Sequence, residues 1–387
     1  MPPGESQTLD RPTRIRVDLD AITHNLHALR AHAGVPVMAI VKANAYGHGL
    51  VPVGRHLQAQ GVERLGVAFL EEGIALRRAG VTVPILVMGG IFGPQAAALI
   101  AHDLEITVSS LDKLRQVEAA AAAASRRAAV HLKIDTGMER IGVHSANAGP
   151  FIEAAVASRH CDIRGVYSHL ASADDPASPA TARQLERFFH ACAHFDRHGA
   201  PMPLRHLANS GGVLHFPETR LDMVRPGIAL YGVLPDPASR APVALRPVLS
   251  LHSQVVYFKV VAAGHPVSYG GTWSSPVDTR VVTIPIGYGD GVPRALSGRG
   301  AILLRGRRHP IVGRICMDQF MVDLGPDGTG YNEDDAVLIG AQGDEAIRCE
   351  DVAAAAGTIP YEILVNLNTR IPRYYVGGEA TPRRDGM

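Results

Sequence analysis

The chain has 387 residues, of which 46% are apolar and 19% are charged, and its formal net charge is +1. This length is sufficient for two domains, one of which can be a large barrel. The near-zero net charge argues against the extended basic surface of a nucleic-acid-binding protein. No apolar run approaches the roughly 20 residues that are needed to span a bilayer.

The amino-terminal segment and the cysteines indicate the cellular compartment. Met1–Asp20 is polar and lacks an apolar core of signal-peptide length. The four cysteines are scattered and form no metal-ligand pattern. We therefore expect a soluble, cytoplasmic protein with free thiols and no bound metal. The cysteines are Cys161, Cys192, Cys316 and Cys349.

The first elements of the chain lead to a lysine. Thr13–Leu19 alternates like a strand, and Asp20–Arg30 has the pattern of a capped helix. Pro36–Val41 is wholly apolar and predicts a buried strand that ends at Lys42. A buried ammonium is costly unless it is paired or neutral, so this position lowers the pKa of the lysine, as Schiff-base chemistry requires. The alternative is a lysine that only snorkels at a strand end.

After Lys42, short apolar segments alternate with segments of helical period. Counting the Lys42 strand, eight predicted strands precede about residue 240, which is the size of one (β/α)8 barrel. A doubly wound open sheet is the alternative, but no G-x-G-x-x-G follows the first strand. We predict the barrel for residues 1–240. The other seven predicted strands are Leu65–Phe69, Pro84–Met88, Glu105–Val108, Val130–Asp135, Ile163–His169, Leu204–Asn209 and Leu221–Arg225.

A change of composition marks a second domain. Three prolines within Pro235–Pro242 predict a linker. Residues 241–387 then contain β-rich runs separated mostly by glycine-containing turns, which predict a mostly antiparallel β domain with one short helix at Glu350–Ala356. The β-rich runs are Ser253–Val261, Val281–Ile286, Ala301–Leu304, Ile311–Ile315, Phe320–Leu324 and Ala336–Ile339.

Reactive side chains follow the predicted barrel strands, whose carboxyl ends carry the catalytic groups in barrel enzymes. Ser210 and nearby glycines have the features of a phosphate cradle, with small residues and free backbone N–H groups. A lysine opposite such a cradle fits pyridoxal 5'-phosphate (PLP), and it also fits a sugar-phosphate substrate of a Schiff-base aldolase. The segments at the strand ends are Lys42–Tyr46, Lys133–Arg140, Tyr167–His169, Ala208–Gly212 and Arg225–Ile228.

Motifs along nearly the whole chain resemble those of alanine racemases. The segment Val41–Gly49, with its lysine, resembles the cofactor-lysine segment of that family. The resemblance implies a (β/α)8 PLP barrel followed by a β domain. Eight further motifs occur in the same order: Lys133–Gly142, Tyr167–Asp174, Ala208–Ser210, Val224–Ile228, Ser268–Gly270, Ile286–Gly291, Gly313–Asp318 and Pro360–Glu362.

The resemblance also implies residue roles. Lys42 would bind PLP and act as one catalytic base, and Tyr269 from the partner subunit of a homodimer would act as the other. Arg225 would face the pyridine nitrogen, with His169 hydrogen-bonded between Tyr269 and Arg225. Lys133 matches a position that some members carry as a carbamylated lysine. The phosphate would be held by Tyr46, Ser210, Gly227, Ile228 and Tyr361, the substrate carboxylate by Arg140 and the backbone of Met317, and the corridor to the site would be lined by Asp174, Tyr288, Arg294, Arg314 and Ile359.

The chemistry of these roles is that of proton exchange at one carbon atom. Two bases on opposite faces of that carbon remove and return the proton, while PLP acts as the electron sink. An arginine at the pyridine nitrogen donates no proton readily, because its pKa exceeds about 12, so transamination is disfavoured. Glu139 stands where the family commonly has a small residue, and its carboxylate is expected to compete for Arg140.

The activity implied is racemisation of L- and D-alanine, which supplies D-alanine for peptidoglycan. A broader racemase of the serine type is the nearest alternative, because a methyl-to-hydroxymethyl change is weakly discriminated. A decarboxylase of this fold would have an acidic residue in place of Arg225. A non-enzymatic PLP-binding protein would have no need of the β domain that carries Tyr269.

Overall fold

The computed structural model describes residues 11–236 and 242–378. They form two compact units, one of Asp20–Arg246 and one that combines the segment before Asp20 with Pro247 and the residues after it. The predicted linker lies partly outside the described residues, as do the first ten residues of the amino-terminal segment. No helix in the described ranges is long and apolar enough to cross a membrane. All four cysteines are free thiols.

The amino-terminal strand belongs to a different unit from the one that the sequence predicted. Strand β1 (Arg14–Asp18) pairs antiparallel with a strand of the second unit that begins at Leu249, and parallel with the strand Arg373–Val376. The sequence assigned residues 1–240 to one domain, whereas these described residues complete a sheet of the other. Local alternation predicts a strand, but it carries no information about distant strand partners.

The first unit is a curled parallel sheet whose strands follow one another in chain order. Helices lie between most successive strands, which confirms the predicted βα alternation. The strands are β2 (Met38–Ile40), β3 (Arg64–Val67), β4 (Ile85–Val87), β5 (Glu105–Val108), β6 (Ala128–Asp135), β7 (Val143–His144), β8 (Cys161–Tyr167) and β9 (Leu204–His206), with β7 paired only to β6. The helices are α1 (Leu19–Ala33), α2 (Lys42–Tyr46), α3 (Leu50–Ala59), α4 (Leu70–Arg78), α5 (Gln95–Ala101), α6 (Leu111–Ala123), α7 (Ala148–Val156), α8 (Ala180–Arg197) and α9 (Ser210–His215).

The eighth barrel position is an irregular segment instead of the predicted regular strand Leu221–Arg225. Val224 donates its N–H to Pro36 O at 3.0 Å, and Met38 donates to Val224 O at 2.8 Å. On the other side, Arg225 N donates to Ala208 O at 2.9 Å. Ile40 N also donates to Pro226 O at 3.1 Å, although Pro226 itself has no N–H to donate. The segment therefore bridges β9 and β2 and fixes Arg225 between them.

The second unit is a mostly antiparallel sheet, as predicted. The single predicted run Ser253–Val261 is two strands, because Val255 donates to Asp334 O and Val256 donates to Thr283 O, so the chain changes partners there. A second helix, which begins at Pro360, was missed. The strands are β10 (Leu249–Gln254), β11 (Tyr257–Val261), β12 (Thr279–Ile284), β13 (Ala301–Leu304), β14 (Arg307–Val312), β15 (Phe320–Asp323), β16 (Asp335–Gln342), β17 (Glu345–Ile347) and β18 (Arg373–Val376), and the helices are α10 (Cys349–Ala356) and α11 (Pro360–Asn366).

Candidate active site

Lys42 follows the wholly buried strand β2 at the carboxyl end of the barrel. Its side chain is partly buried. Burial lowers the pKa of Lys42, and the nearby charge of Arg140 lowers it further. A lysine with a lowered pKa has a larger neutral fraction, and the neutral amine is the form that acts as nucleophile and base.

The turn after Lys42 is left-handed, which the sequence did not reveal. Four consecutive residues other than glycine, Ala43 to Tyr46, have φ between 52° and 55°. This conformation costs about 1–2 kcal/mol per residue. One distant and one local hydrogen bond stabilise it: Glu72 accepts from Ala43 N at 2.6 Å, and Asn44 Oδ1 accepts from Leu50 N at 2.8 Å. Asn44, which tolerates left-handed φ, was the one local signal within the turn.

A compact cradle lies where the barrel closes. Ser210 Oγ accepts hydrogen bonds from Gly227 N at 2.9 Å and from Ala229 N at 3.2 Å. A side chain at Gly227 would collide with Tyr46 Oη, so the left-handed turn and the closing segment meet here. Ile228 is buried beside them. The combination of hydroxyls, small residues and backbone amides fits a phosphate group.

Arg225 is 2% exposed and is held mainly by main-chain carbonyls. Nη1 donates to His206 O at 2.6 Å, and Nη2 donates to Ser168 O at 2.8 Å and to Leu207 O at 3.1 Å. Its Nε is buried and has no hydrogen-bond partner among the described residues. A buried donor without a partner is costly, and the pyridine nitrogen of PLP is an acceptor of the kind it lacks.

Lys133 and Arg140 occupy the end of β6 and its loop. Burial, followed by the charges of Arg225 and Arg140, holds the pKa of Lys133 well below its ordinary value. Asp135 shapes the loop, accepting from Gly137 N at 2.8 Å and from Arg140 N at 3.2 Å. Arg140 itself is exposed. The pair therefore presents an amine with a lowered pKa and an arginine at the carboxyl end of β6.

The expected competition of Glu139 for Arg140 is not seen. The exposed Glu139 carboxylate accepts from His144 Nε2 at 3.0 Å, and no ion pair joins Glu139 to Arg140 within the described residues. Glu139 has a φ of 53°, which turns the backbone between the two side chains. Arg140 is therefore free of this carboxylate.

His169 lies at the site, where the resemblance implies a hydrogen bond to Arg225. No hydrogen bond joins its ring to Arg225 within the described ranges. Burial, and then the charges of Lys133, Arg225 and Arg140, hold the pKa of His169 well below its ordinary value. The imidazole is therefore neutral, and the positive charge beside it is that of Arg225.

Asp174 belongs to the barrel unit and lies against the cradle. A side chain at Gly211 would meet Asp174 Oδ1 and would collide with Ala173 O. Burial raises the pKa of Asp174, and the nearby charge of Asp236 raises it further. Its proposed place along a substrate corridor remains a prediction.

The second unit presents Tyr269 on an exposed loop. Val267 N donates to Trp273 O at 2.9 Å, which closes a short loop around Tyr269. Ser268, with φ 67°, donates from Oγ to Arg314 O at 2.6 Å. These contacts bring Tyr269 and Arg314 to one surface, and the Tyr269 side chain is 69% exposed.

Met317 and Tyr288 extend the same exposed surface. Tyr288 N donates to Cys316 O at 3.1 Å, and Gly289 N donates to Met317 O at 2.8 Å. Met317 is 53% exposed. Arg294, on a neighbouring 3-10 turn, and Ile359, directly before α11, are exposed as well.

Tyr361 also belongs to the second unit, in the first turn of α11, and is half-buried. Within the barrel unit, the structure thus gathers the predicted lysines, arginines, His169 and cradle residues at one end. Within the second unit, it gathers Tyr269, Tyr288, Arg314 and Met317. The roles assigned to all these residues remain predictions.

Known proteins resemble both units. Residues 17–235 match the model of the alanine racemase N-terminal domain, and residues 248–375 match that of the C-terminal domain. The chain is 43% identical over 370 residues to alanine racemase of Symbiobacterium thermophilum, covering 95% of this chain and 98% of the relative.

Solved structures agree. Alanine racemase from the D-cycloserine producer Streptomyces lavendulae superposes with a TM-score of 0.92 at 41% identity, covering 96% of this chain and 98% of that chain. Alanine racemase from Bartonella henselae, described with covalently bound pyridoxal phosphate, has a TM-score of 0.86 at 30% identity, covering 95% and 100% of the two chains.

Proposed function

Because the chain belongs to the alanine racemase family of isomerases, we propose that it interconverts L-alanine and D-alanine with PLP bound at Lys42. The observation that carries this proposal is the unpartnered Nε of Arg225, at the end of the barrel that also carries the cradle and Lys42. The covalently bound pyridoxal phosphate of the Bartonella henselae relative supports the cofactor.

Different barrel residues would bind the phosphate and the pyridine ring of the cofactor. Ser210, Tyr46, Gly227 and Ile228 would hold the phosphate, and Tyr361 would be a further phosphate ligand. Arg225 would donate from Nε to the pyridine nitrogen. When bound, PLP supplies an electron sink for the charge left at Cα after proton removal. An arginine keeps its own proton, which favours return of the proton to Cα over transamination.

Lys42 and Tyr269 would be the two bases. The lowered pKa of Lys42 increases the fraction of neutral amine, which would accept the Cα proton on one face. Tyr269 would deliver or accept the proton on the other face. The neutral His169 can donate or accept a hydrogen bond without adding charge.

Arg140 and the backbone of Met317 would bind the substrate carboxylate. Lys133 would orient Arg140 after reaction of its neutral amine with carbon dioxide, which forms an N–C bond, releases one proton and leaves a carbamate anion. The lowered pKa of Lys133 supports this step, since an ammonium has no lone pair with which to attack. Asp174, Tyr288, Arg294, Arg314 and Ile359 would line the way in.

The partner would be a second copy of the chain. Tyr269 and Met317 are exposed in the single chain, which supports their insertion into the site of another subunit in a homodimer. The product, D-alanine, would serve peptidoglycan synthesis in the cytoplasm. No nucleic-acid or membrane partner enters this proposal.

Turnover of a panel of D- and L-amino acids by the purified protein tests the function. Alanine should have the highest kcat/KM, and the protein should be yellow. A higher value for serine would favour a broader racemase, since one hydroxyl is weakly discriminated in a small pocket. Bound PLP without racemisation of any amino acid would contradict the proposal and favour a non-enzymatic PLP-binding protein.

A further inference from the structure

Four buried polar side chains form an unbroken chain through the barrel interior. His131 Nε2 lies 3.1 Å from Glu105 Oε2, and His131 Nδ1 lies 2.8 Å from His206 Nε2. His206 Nδ1 lies 3.1 Å from Arg225 Nη1. Glu105 begins β5, His131 is in the middle of β6 and His206 ends β9, so the chain runs from the amino end of the sheet to Arg225.

The two end groups of this hydrogen-bonded series, Arg225 and Glu105, determine which nitrogen of each histidine carries a proton. Arg225 can only donate a hydrogen bond and an ionised Glu105 can only accept one. His206 must therefore accept at Nδ1 and donate from Nε2, and His131 must do the same. Both rings are then neutral and carry their protons on Nε2. Burial lowers the pKa of both histidines, in agreement with neutral rings.

Glu105 stays ionised at the far end of the chain. Burial alone would raise its pKa, but the hydrogen bond from His131 and the charge of Arg64 outweigh burial and lower it. Arg64 forms an ion pair with the other carboxylate oxygen. Among the described residues, no acidic side chain forms an ion pair with Arg225. The hydrogen bonds that start at Arg225 end at Glu105, which is therefore the anion connected to it.

The surrounding residues are shaped around this chain. The ring of Tyr167 stacks on His206 with a centroid distance of 4.7 Å and an angle of 8°. Tyr167 is itself fixed by a hydrogen bond of 2.7 Å to Thr107. A side chain at Gly165 would collide with the His131 ring, so β8 leaves space there for the histidine.

We propose that Glu105 is the remote counter-ion of Arg225, and that neutral His131 and His206 transmit its polarity and position the guanidinium. The proposal rests on the cofactor role of Arg225 proposed above. A buried guanidinium without an anion is costly. A carboxylate in direct contact with Arg225 would compete for its Nε. His206 instead accepts from Nη1 of Arg225, which leaves Nε for the cofactor. Glu105, His131 and His206 are thus positioning residues.

Proton positions test the proposal without reference to turnover. Neutron diffraction from perdeuterated wild-type crystals, with or without cofactor, should show deuterium on Nε2 of His131 and His206 and none on Nδ1. Deuterium on either Nδ1, or on both nitrogens of one ring, would overturn the proposal. Because this result needs no catalysis, it stands apart from any failure of the racemase assignment.

Substitution of Glu105 tests whether the chain acts on the cofactor site. Glu105→Gln retains an acceptor but removes the charge. We expect kcat for racemisation to fall about 10- to 100-fold, as for other carboxylates that orient a functional histidine. We also expect a changed pH profile of cofactor absorbance and more pyruvate from transamination, which loss of packing alone would not produce.

Two further variants keep this test decisive. Glu63→Gln is the matched control, because Glu63 pairs with Arg30 at 3.0 Å and its carboxylate accepts from Val37 N at 3.1 Å. No side-chain hydrogen bonds among the described residues lead from Glu63 to Arg225, and glutamine keeps the acceptor, so the rate and spectrum should match wild type. Gly165→Ala leaves the four hydrogen-bonded residues unchanged but displaces the His131 ring. It should reproduce the changed pH profile of cofactor absorbance. A folded Glu105→Gln enzyme with wild-type kcat, spectrum and side product would refute the proposal. If that variant does not fold, the neutron result decides.

Discussion

The two units present their candidate site residues in opposite ways. In the barrel unit, Arg225 is 2% exposed and Ser210 is 3% exposed, and both are hydrogen-bonded within the unit. In the second unit, Tyr269 is 69% exposed and Met317 is 53% exposed. Large apolar and aromatic side chains clustered at a surface mark interaction sites. This difference supports the proposal that the cofactor is held by residues of one chain and that Tyr269 acts in the site of a partner subunit.

Lys42→Ala is expected to have the largest effect, because it removes the cofactor attachment and one base together. Racemisation should fall by at least about 10³-fold, and the protein should lose its yellow colour. Borohydride should fix the cofactor on the Lys42 peptide of the wild type. Lys133→Ala is the matched control for labelling. A label on Lys133 would break the assignment.

Tyr269→Phe should separate the two sides of the site. Racemisation should fall about 10²- to 10⁴-fold because the second base is lost, while cofactor absorbance and thermal stability stay near wild type. The exposed position of the side chain is the reason for the unchanged stability. Tyr257→Phe, at another exposed tyrosine of the same unit, should leave the rate unchanged. Loss of PLP from the Tyr269 variant would contradict this division.

Gly227→Ala should weaken the cradle alone. The added methyl group would collide with Tyr46 Oη. The Kd for PLP should rise about tenfold, equivalent to about 1.4 kcal/mol. Equilibrium titration of the apoprotein measures this. Gly90→Ala, where the added carbon would meet only Ile141 at 3.8 Å, is the control and should bind PLP as wild type does.

Lys133→Ala is expected to have a smaller effect, confined to substrate binding. Loss of a carbamate beside Arg140 should raise KM severalfold to about tenfold and leave cofactor binding intact. Added chloride should restore part of the loss by replacing the anion. Native mass spectrometry should show the added carboxylate on wild type. An unmodified amine together with an unchanged KM would remove this role.

The sequence predicted the features that depend on local pattern. Alternating apolar and helical segments identified the barrel, and the apolar strand before Lys42 identified its environment. It could not predict features that depend on distant contacts. Glu72 stabilises the left-handed turn after Lys42 from 29 positions away in sequence. The link from Glu105 to Arg225 exists only because four barrel segments meet, and no spacing in the sequence encodes it.

We propose that Lys42 of one chain and Tyr269 of the partner subunit serve one site. Lys42→Ala and Tyr269→Phe, each nearly inactive, can be mixed under conditions that exchange subunits. A mixed dimer then has one doubly defective site and one intact site. Half of the dimers should be mixed, so roughly a quarter of wild-type activity should return. No recovery, with subunit exchange confirmed by mass spectrometry, would contradict the shared site.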